Sequence, residues 1–187
     1  MLILGIDVGF ARTGWGLVHK CTKPRNCEVC KKNKFDSVEK GNSKPRYKEY
    51  HYIDSGLIET TNSQSYLSRL IFLAEELKKV LSKFQPDEVA IEELFFFKNH
   101  KTVIQVSEAR GVILLTCKDY KLFEYTPLQV KQTLTGAGRA EKKQVQEMTR
   151  RLLSLDPTQI KQDDEADAVA IALTHGFYTR VNIKNEN

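Results

Sequence analysis

The sequence predicts an α/β domain built on a five-stranded mixed sheet flanked by helices. Three observations carry that prediction. Three strand-like segments follow one another near the N-terminus, two of them joined by a glycine-containing turn. Beyond residue 65, helical apolar periodicity alternates with two short apolar strand segments. A chain of 187 residues also suits one layered domain that buries roughly 70% of its unfolded surface.

The elements follow in order. "LILGID" is a continuous apolar run ending in Asp7, the pattern of a buried strand. "VGFARTG" supplies a turn, "GWGLVHK" an antiparallel second strand, and "YHYIDSGLIET" a third. Between them, residues 21–48 are rich in Lys, Cys, Asn and Pro and read as an insertion in the meander. "SYLSRLIFLAEELKKVLSK" is a helix with Ser65 as its cap, its apolar face running from Leu67 to Val80. "PDEVAIEELF" is a short strand, and "HKTVIQVSEARGVILLTCK" a helix apolar over much of its circumference. "YKLFEYT" is the fifth strand, and Pro127 opens a short helix. "AEKKQVQEMTRRLLSL" is amphipathic, and the last helix begins near Asp163. Residues 1–176 are expected to form the domain, with 177–187 as a C-terminal tail.

Composition excludes several classes. With 41% hydrophobic and 28% charged residues the chain reads as soluble and globular. No apolar run reaches the ~18 residues of a membrane span, and "MLILGIDVGF" lacks a basic leader. A cytoplasmic protein with no membrane partner is expected, its cysteines reduced unless a metal holds them. Residues 20–50 carry a net charge of +6, against −1 for all the others, which suits a polyanionic partner.

The acidic residues carry the chemistry. Asp7 ends the first strand, and Glu92 lies inside the apolar "VAIEEL", where a carboxylate needs a partner. Glu93 alternates to the opposite face. At the last helix, Asp164 and Asp167 are three apart and Asp163 and Asp167 four apart, so spacing alone leaves both pairs open. An acidic first turn that complements the helix dipole competes with any site reading. If the first and fourth strands are neighbours and the last helix crosses them, these carboxylates converge. Such an oxygen-rich cluster suits Mg²⁺, and paired ions suit phosphodiester hydrolysis.

Five stretches resemble the RuvC family of bacterial Holliday-junction resolvases. "ILGIDVGFARTGWGLV" is similar to its first hairpin, and "FQPDEVAIEELFFFKN" with "EARGV" to its central strand and following helix. "FEYTPLQVKQTLTGAGRAEKKQVQEM" and "DEADAVAIALTH" are similar to its remaining motifs. The resemblance spans residues 1 to about 176 outside the insertion. It implies an RNase H-like fold, a homodimer, and Mg²⁺ (two ions per subunit, Mn²⁺ as a substitute) held by catalytic carboxylates. It selects Asp7, Glu92, Asp164 and Asp167 for that role, and implies Lys131, Lys142 and Phe95 as DNA-binding residues. Without the resemblance, the two lysines read as solvated helix residues and "LFFF" as core, although three consecutive Phe do not all face inward from an extended segment.

The implied activity is symmetric nicking of two strands of a four-way DNA junction to leave 5′-phosphates, in recombination and repair. The RuvA–RuvB branch-migration complex is an implied partner. Two departures stand out: the family's Gly-Ile-Asp-Pro-Gly is "GIDVG" here, and its Glu-Gln is Glu92-Glu93. The alternatives are an RNase H-like nuclease acting on structured RNA and a non-catalytic junction-binding protein. A sugar-kinase-like ATPase needs two such domains and does not fit this length.

In "HKCTKPRNCEVC", His19, Cys21, Cys27 and Cys30 form a candidate zinc set with one C-x-x-C. His51 competes with His19 as its histidine, and a second cysteine pair is absent. The competing reading is a basic loop with reduced thiols, and Cys117 reads as core.

Overall fold

The computed structural model describes residues 1–21, 27, 49–93, 100–156 and 158–184. Phe95, Cys30 and most of the 21–48 insertion lie outside them. Five strands form one sheet: β1 (Leu2–Asp7), β2 (Arg12–Lys20), β3 (Tyr50–Glu59), β4 (Glu88–Glu92) and β5 (Lys121–Tyr125), in the order β3-β2-β1-β4-β5. The first three strands pair antiparallel, and β1-β4-β5 pair parallel. The predicted mixed sheet is therefore present. β1 is central because it is apolar on both faces, as a strand covered from two sides must be.

Strand alternation assigns the two layers. Leu4, Ile6, Leu17, Val89 and Ile91 face a core shared with α1 (Tyr66–Phe84) and α2 (His100–Thr116). Ile3, Val18, Ala90 and Tyr125 face the other core, shared with α3 (Pro127–Thr135), α4 (Lys142–Leu153) and α5 (Asp163–Lys184). Because side chains alternate, Gly5 and Asp7 share the face of Ile3, and Glu88 and Glu92 share that of Ala90. The last registered pair between these strands is Ile6 with Ile91. The next step brings Asp7 and Glu92 to adjacent strand ends on the α5 face.

Local chemistry sets the helix ends. Ser65 accepts from the Ser68 N–H at 3.2 Å and caps α1. Thr126 caps α3 through a reciprocal pair with Gln129, Pro127 takes the first helical position, and Gly136 closes the helix at φ 75°. Helix α5 continues past residue 176 through Lys184. Phe177 and Tyr178 account for the extension: their rings lie 4.7 Å from Tyr50 and 5.1 Å from Tyr125. Among the described residues, no helix is long and apolar enough to cross a membrane.

Candidate active site

Helix α5 reaches the sheet through small residues. A Cβ on Gly5 would lie 2.0 Å from the Ala168 carbonyl oxygen, and one on Gly14 would lie 2.0 Å from that of Asp164. Backbone therefore packs on backbone where α5 crosses β1 and β2. That approach delivers the first turns of α5 to the end of β1, which pairs Asp7 with Gly14.

Carboxylate oxygens of Asp7, Asp164 and Asp167 come within 4.8 Å of one another. Asp164 and Asp167 thus share one cluster with Asp7, whereas Asp163 is exposed to solvent. Glu92 stands outside that mutual distance but lines one pocket with Lys131, Lys142 and Asp167. Glu93 is exposed on the other side of its strand.

The cluster is electrostatically costly. Burial, then the charges of Glu92, Asp167 and Asp164, push the Asp7 carboxyl up to about 7. Burial and the charge of Asp167 also raise Glu92. Burial raises Asp167 as well, against the opposing pull of Lys142. The Lys142 ammonium lies 2.5 Å from Asp167; burial disfavours its charge, but the hydrogen bond and charge of Asp167 hold it above the ordinary value.

Two supporting residues lay outside the sequence reading. Arg12 reaches Asp164 at 3.0 Å and also donates to Gln162 at 3.1 Å. Its signal was the hairpin, which returns residue 12 to the sheet end that holds Asp7. The Gln146 amide donates to Asp167 at 3.4 Å. Its signal was spacing, four residues after Lys142 on the same helix face.

The donor set fits a hard divalent cation. Three carboxylates offer oxygen ligands within one ion's reach, and their mutual repulsion leaves an unbalanced negative charge that a cation offsets.

The other predicted cluster lies elsewhere. Ligand atoms of His19, Cys21 and Cys27 come within 4.8 Å of one another at the far end of β2. The His51 ring stacks beside that of His19, 6.4 Å away, without joining the set. Cys117 is buried in the core behind α2.

The family model for crossover junction endodeoxyribonuclease RuvC matches residues 37–175. A crossover junction endodeoxyribonuclease RuvC of Caldicellulosiruptor saccharolyticus is 46% identical over 177 residues, covering 94% of this chain and 92% of its own. That of Finegoldia magna is 42% identical over 188 aligned positions, covering 100% and 99%. The solved structure of Thermus thermophilus RuvC in complex with a Holliday junction substrate matches with a TM-score of 0.77. It is 29% identical, with 97% of this chain and 96% of that chain covered. With near-complete coverage of such relatives and the RNase H-like sheet they share, this chain belongs to the RuvC family of crossover junction endodeoxyribonucleases.

Proposed function

We propose that the protein is a metal-dependent endodeoxyribonuclease that resolves Holliday junctions by nicking two strands symmetrically. The observation that carries this reading is the convergence of Asp7, Asp164 and Asp167 on one point, with Glu92 and Lys142 at its edge. The nuclease unit is the β1–α5 fold, with residues 21–48 inserted between β2 and β3.

Asp7, Asp164, Asp167 and Glu92 would hold Mg²⁺, with Mn²⁺ as a substitute. When bound, such ions would supply Lewis-acid stabilisation and lower the pKa of water so that hydroxide forms near neutral pH. The protein's own residues do the rest. Asp7, at the centre of the repulsion, is the anchor, because a cation relieves its burden most. Lys142, at 2.5 Å from Asp167, neutralises part of the cluster and stands beside the path of a phosphate. Lys131 lines the same pocket and adds a second cation there. Water adds to phosphorus, the bond to the 3′ oxygen breaks, and that oxygen takes a proton. The products are a 3′-hydroxyl and a 5′-phosphate, ends a ligase can seal.

A four-way junction offers two symmetric strands, so two equivalent sites in a homodimer match it. Helix α2 suits the dimer seam. Ile104 is 61% exposed and Leu115 71% exposed, eleven residues apart and hence on one face. Gly111 lies on that face, and a Cβ there would meet nothing within 4 Å among the described residues, which leaves room for a close helix crossing. Phe95 is proposed to stack on an unpaired base. RuvA–RuvB is the proposed branch-migration partner, and the cytoplasm the proposed site of action.

The test compares Mg²⁺-dependent cleavage of a mobile four-way junction, linear duplex and structured RNA. Paired nicks in the junction alone are expected, lost in Asp7→Asn while junction binding is retained. Preferential cutting of RNA, or undiminished cutting by Asp7→Asn, would reject the reading.

A further inference from the structure

The cysteine-bearing end of the sheet has no part in the proposed nuclease reaction. β1 runs from Leu2, paired with His19, to Asp7, paired with Gly14. Five residue steps at about 3.3 Å each put roughly 17 Å between those sheet ends. His19 also alternates to the face of Leu17, covered by α1 and α2, whereas Asp7 is on the α5 face. The two clusters therefore occupy opposite ends and opposite faces of one sheet.

His19 and Cys21 are two residues apart in extended chain, so their side chains leave β2 on the same side. The pairing of β2 with β3 continues one step further, since the Cys21 N–H donates to the Glu49 carbonyl at 2.7 Å. Both feet of the insertion are thus tied together. Cys27 returns to this point, its Sγ 3.1 Å from His19 Nε2. His19 is 6% exposed and Cys21 4% exposed, and the other ring nitrogen of His19 has no partner among the described residues. The buried ring thus turns Nε2 towards a thiol, while Nδ1 is the atom left without a partner among the described residues.

We propose that His19, Cys21 and Cys27 bind a structural zinc ion that pins the root of the basic insertion to the end of β2. One imidazole and two thiolates are the soft donor set that selects Zn²⁺ over the hard ion suited to the carboxylates. Zinc–ligand bonds of roughly 2.0–2.3 Å hold tetrahedral sulfur and nitrogen donors about 3.5 Å apart; His19 Nε2 and Cys27 Sγ are 3.1 Å apart, and the three ligand atoms lie within 4.8 Å of one another. A fourth ligand, a water or a further donor, would complete the tetrahedron. Binding releases the two thiol protons, so affinity rises with pH. The ion would fix where the stretch of net charge +6 leaves the sheet.

The test uses the full-length reduced chain, loaded with zinc, gel-filtered and assayed for metal content. Wild type and Asp7→Asn should each retain a single zinc ion, and Cys21→Ser/Cys27→Ser should retain none. Cobalt in place of zinc should show a thiolate charge-transfer band that the double variant lacks. Zinc should raise the thermal midpoint of wild type and leave that of the double variant unmoved. Cys27→Ser alone, at the less buried position, guards against misfolding: it should keep a native circular-dichroism spectrum and lose the charge-transfer band. A wild type that retains no zinc, zinc lost in Asp7→Asn but kept in the cysteine variant, or a Cys21–Cys27 disulfide in protein purified without reductant would overturn the proposal.

Discussion

At Asp7, function and stability oppose each other. Its carboxyl is raised from 3.8 to about 7 by burial and by three neighbouring carboxylates. Between those values the unfolded chain has released a proton that the folded chain still holds. Metal-free stability therefore falls as pH rises through that window, and the whole cost is present above about 7. Asp7→Asn removes the cost. It is expected to abolish cleavage yet stabilise the metal-free protein at pH 8 by on the order of 2 kcal/mol, allowing for solvent at the strand end. Urea denaturation at pH 8 and pH 4 checks this: the gain should shrink towards zero at the lower pH.

At the scale of elements, the crossing of α5 over β1 and β2 positions the site. Gly14→Ala drives a methyl group into the Asp164 backbone. The expected cost is about 1–3 kcal/mol of stability. Cleavage should fall on the order of 100-fold, because Asp164 moves with the helix. Thermal melts and junction cleavage on the same samples read the two effects. Further along α5, His175 is fully buried, its Nδ1 2.7 Å from the Tyr125 hydroxyl and its Nε2 2.7 Å from Glu88. A neutral ring satisfies both contacts by accepting from Tyr125 and donating to Glu88. Burial lowers its pKa from 6.5, more than Glu88 raises it. Below pH 6.5 the unfolded chain therefore takes up a proton that the folded chain refuses, and stability drops as pH falls. Burial takes His19 down to about 4, so it contributes in the same direction. His175→Gln should flatten that loss between pH 6.5 and pH 5, measured by urea denaturation in the absence of zinc.

At the scale of the whole molecule, two surfaces carry predictions. Leu115→Glu places a charge on the exposed stripe of α2. Sedimentation should then report a folded monomer, and junction cleavage should yield single, uncoupled nicks. A dimer of unchanged stability would remove α2 from the interface. The insertion concentrates charge that the remaining chain lacks. Deleting residues 21–48 should weaken junction binding and flatten the slope of log affinity against log salt, because fewer counterions are released. An unchanged slope would assign phosphate contact to the nuclease core alone.

Local pattern settled a large part of this protein in advance. Alternation in "LILGID" and "VAIEE" and the helical period of residues 65–83 are written in neighbouring residues, so the elements were legible. So were Asp7 and Glu92, because a carboxylate in an apolar strand is conspicuous. The choice between Asp163 and Asp164 was not: both spacings suit one helix face, and only the rotation of α5 on the sheet separates them. The same crossing gives Gly5 and Gly14 their meaning, since a glycine in a strand does not say what presses against it. Arg12, the closeness of Cys27 to His19, and the helix beyond residue 176 also rest on contacts between distant segments. Sequence records the period of each element, whereas register and crossing angle, set by packing the entire core at once, decide which side chains meet.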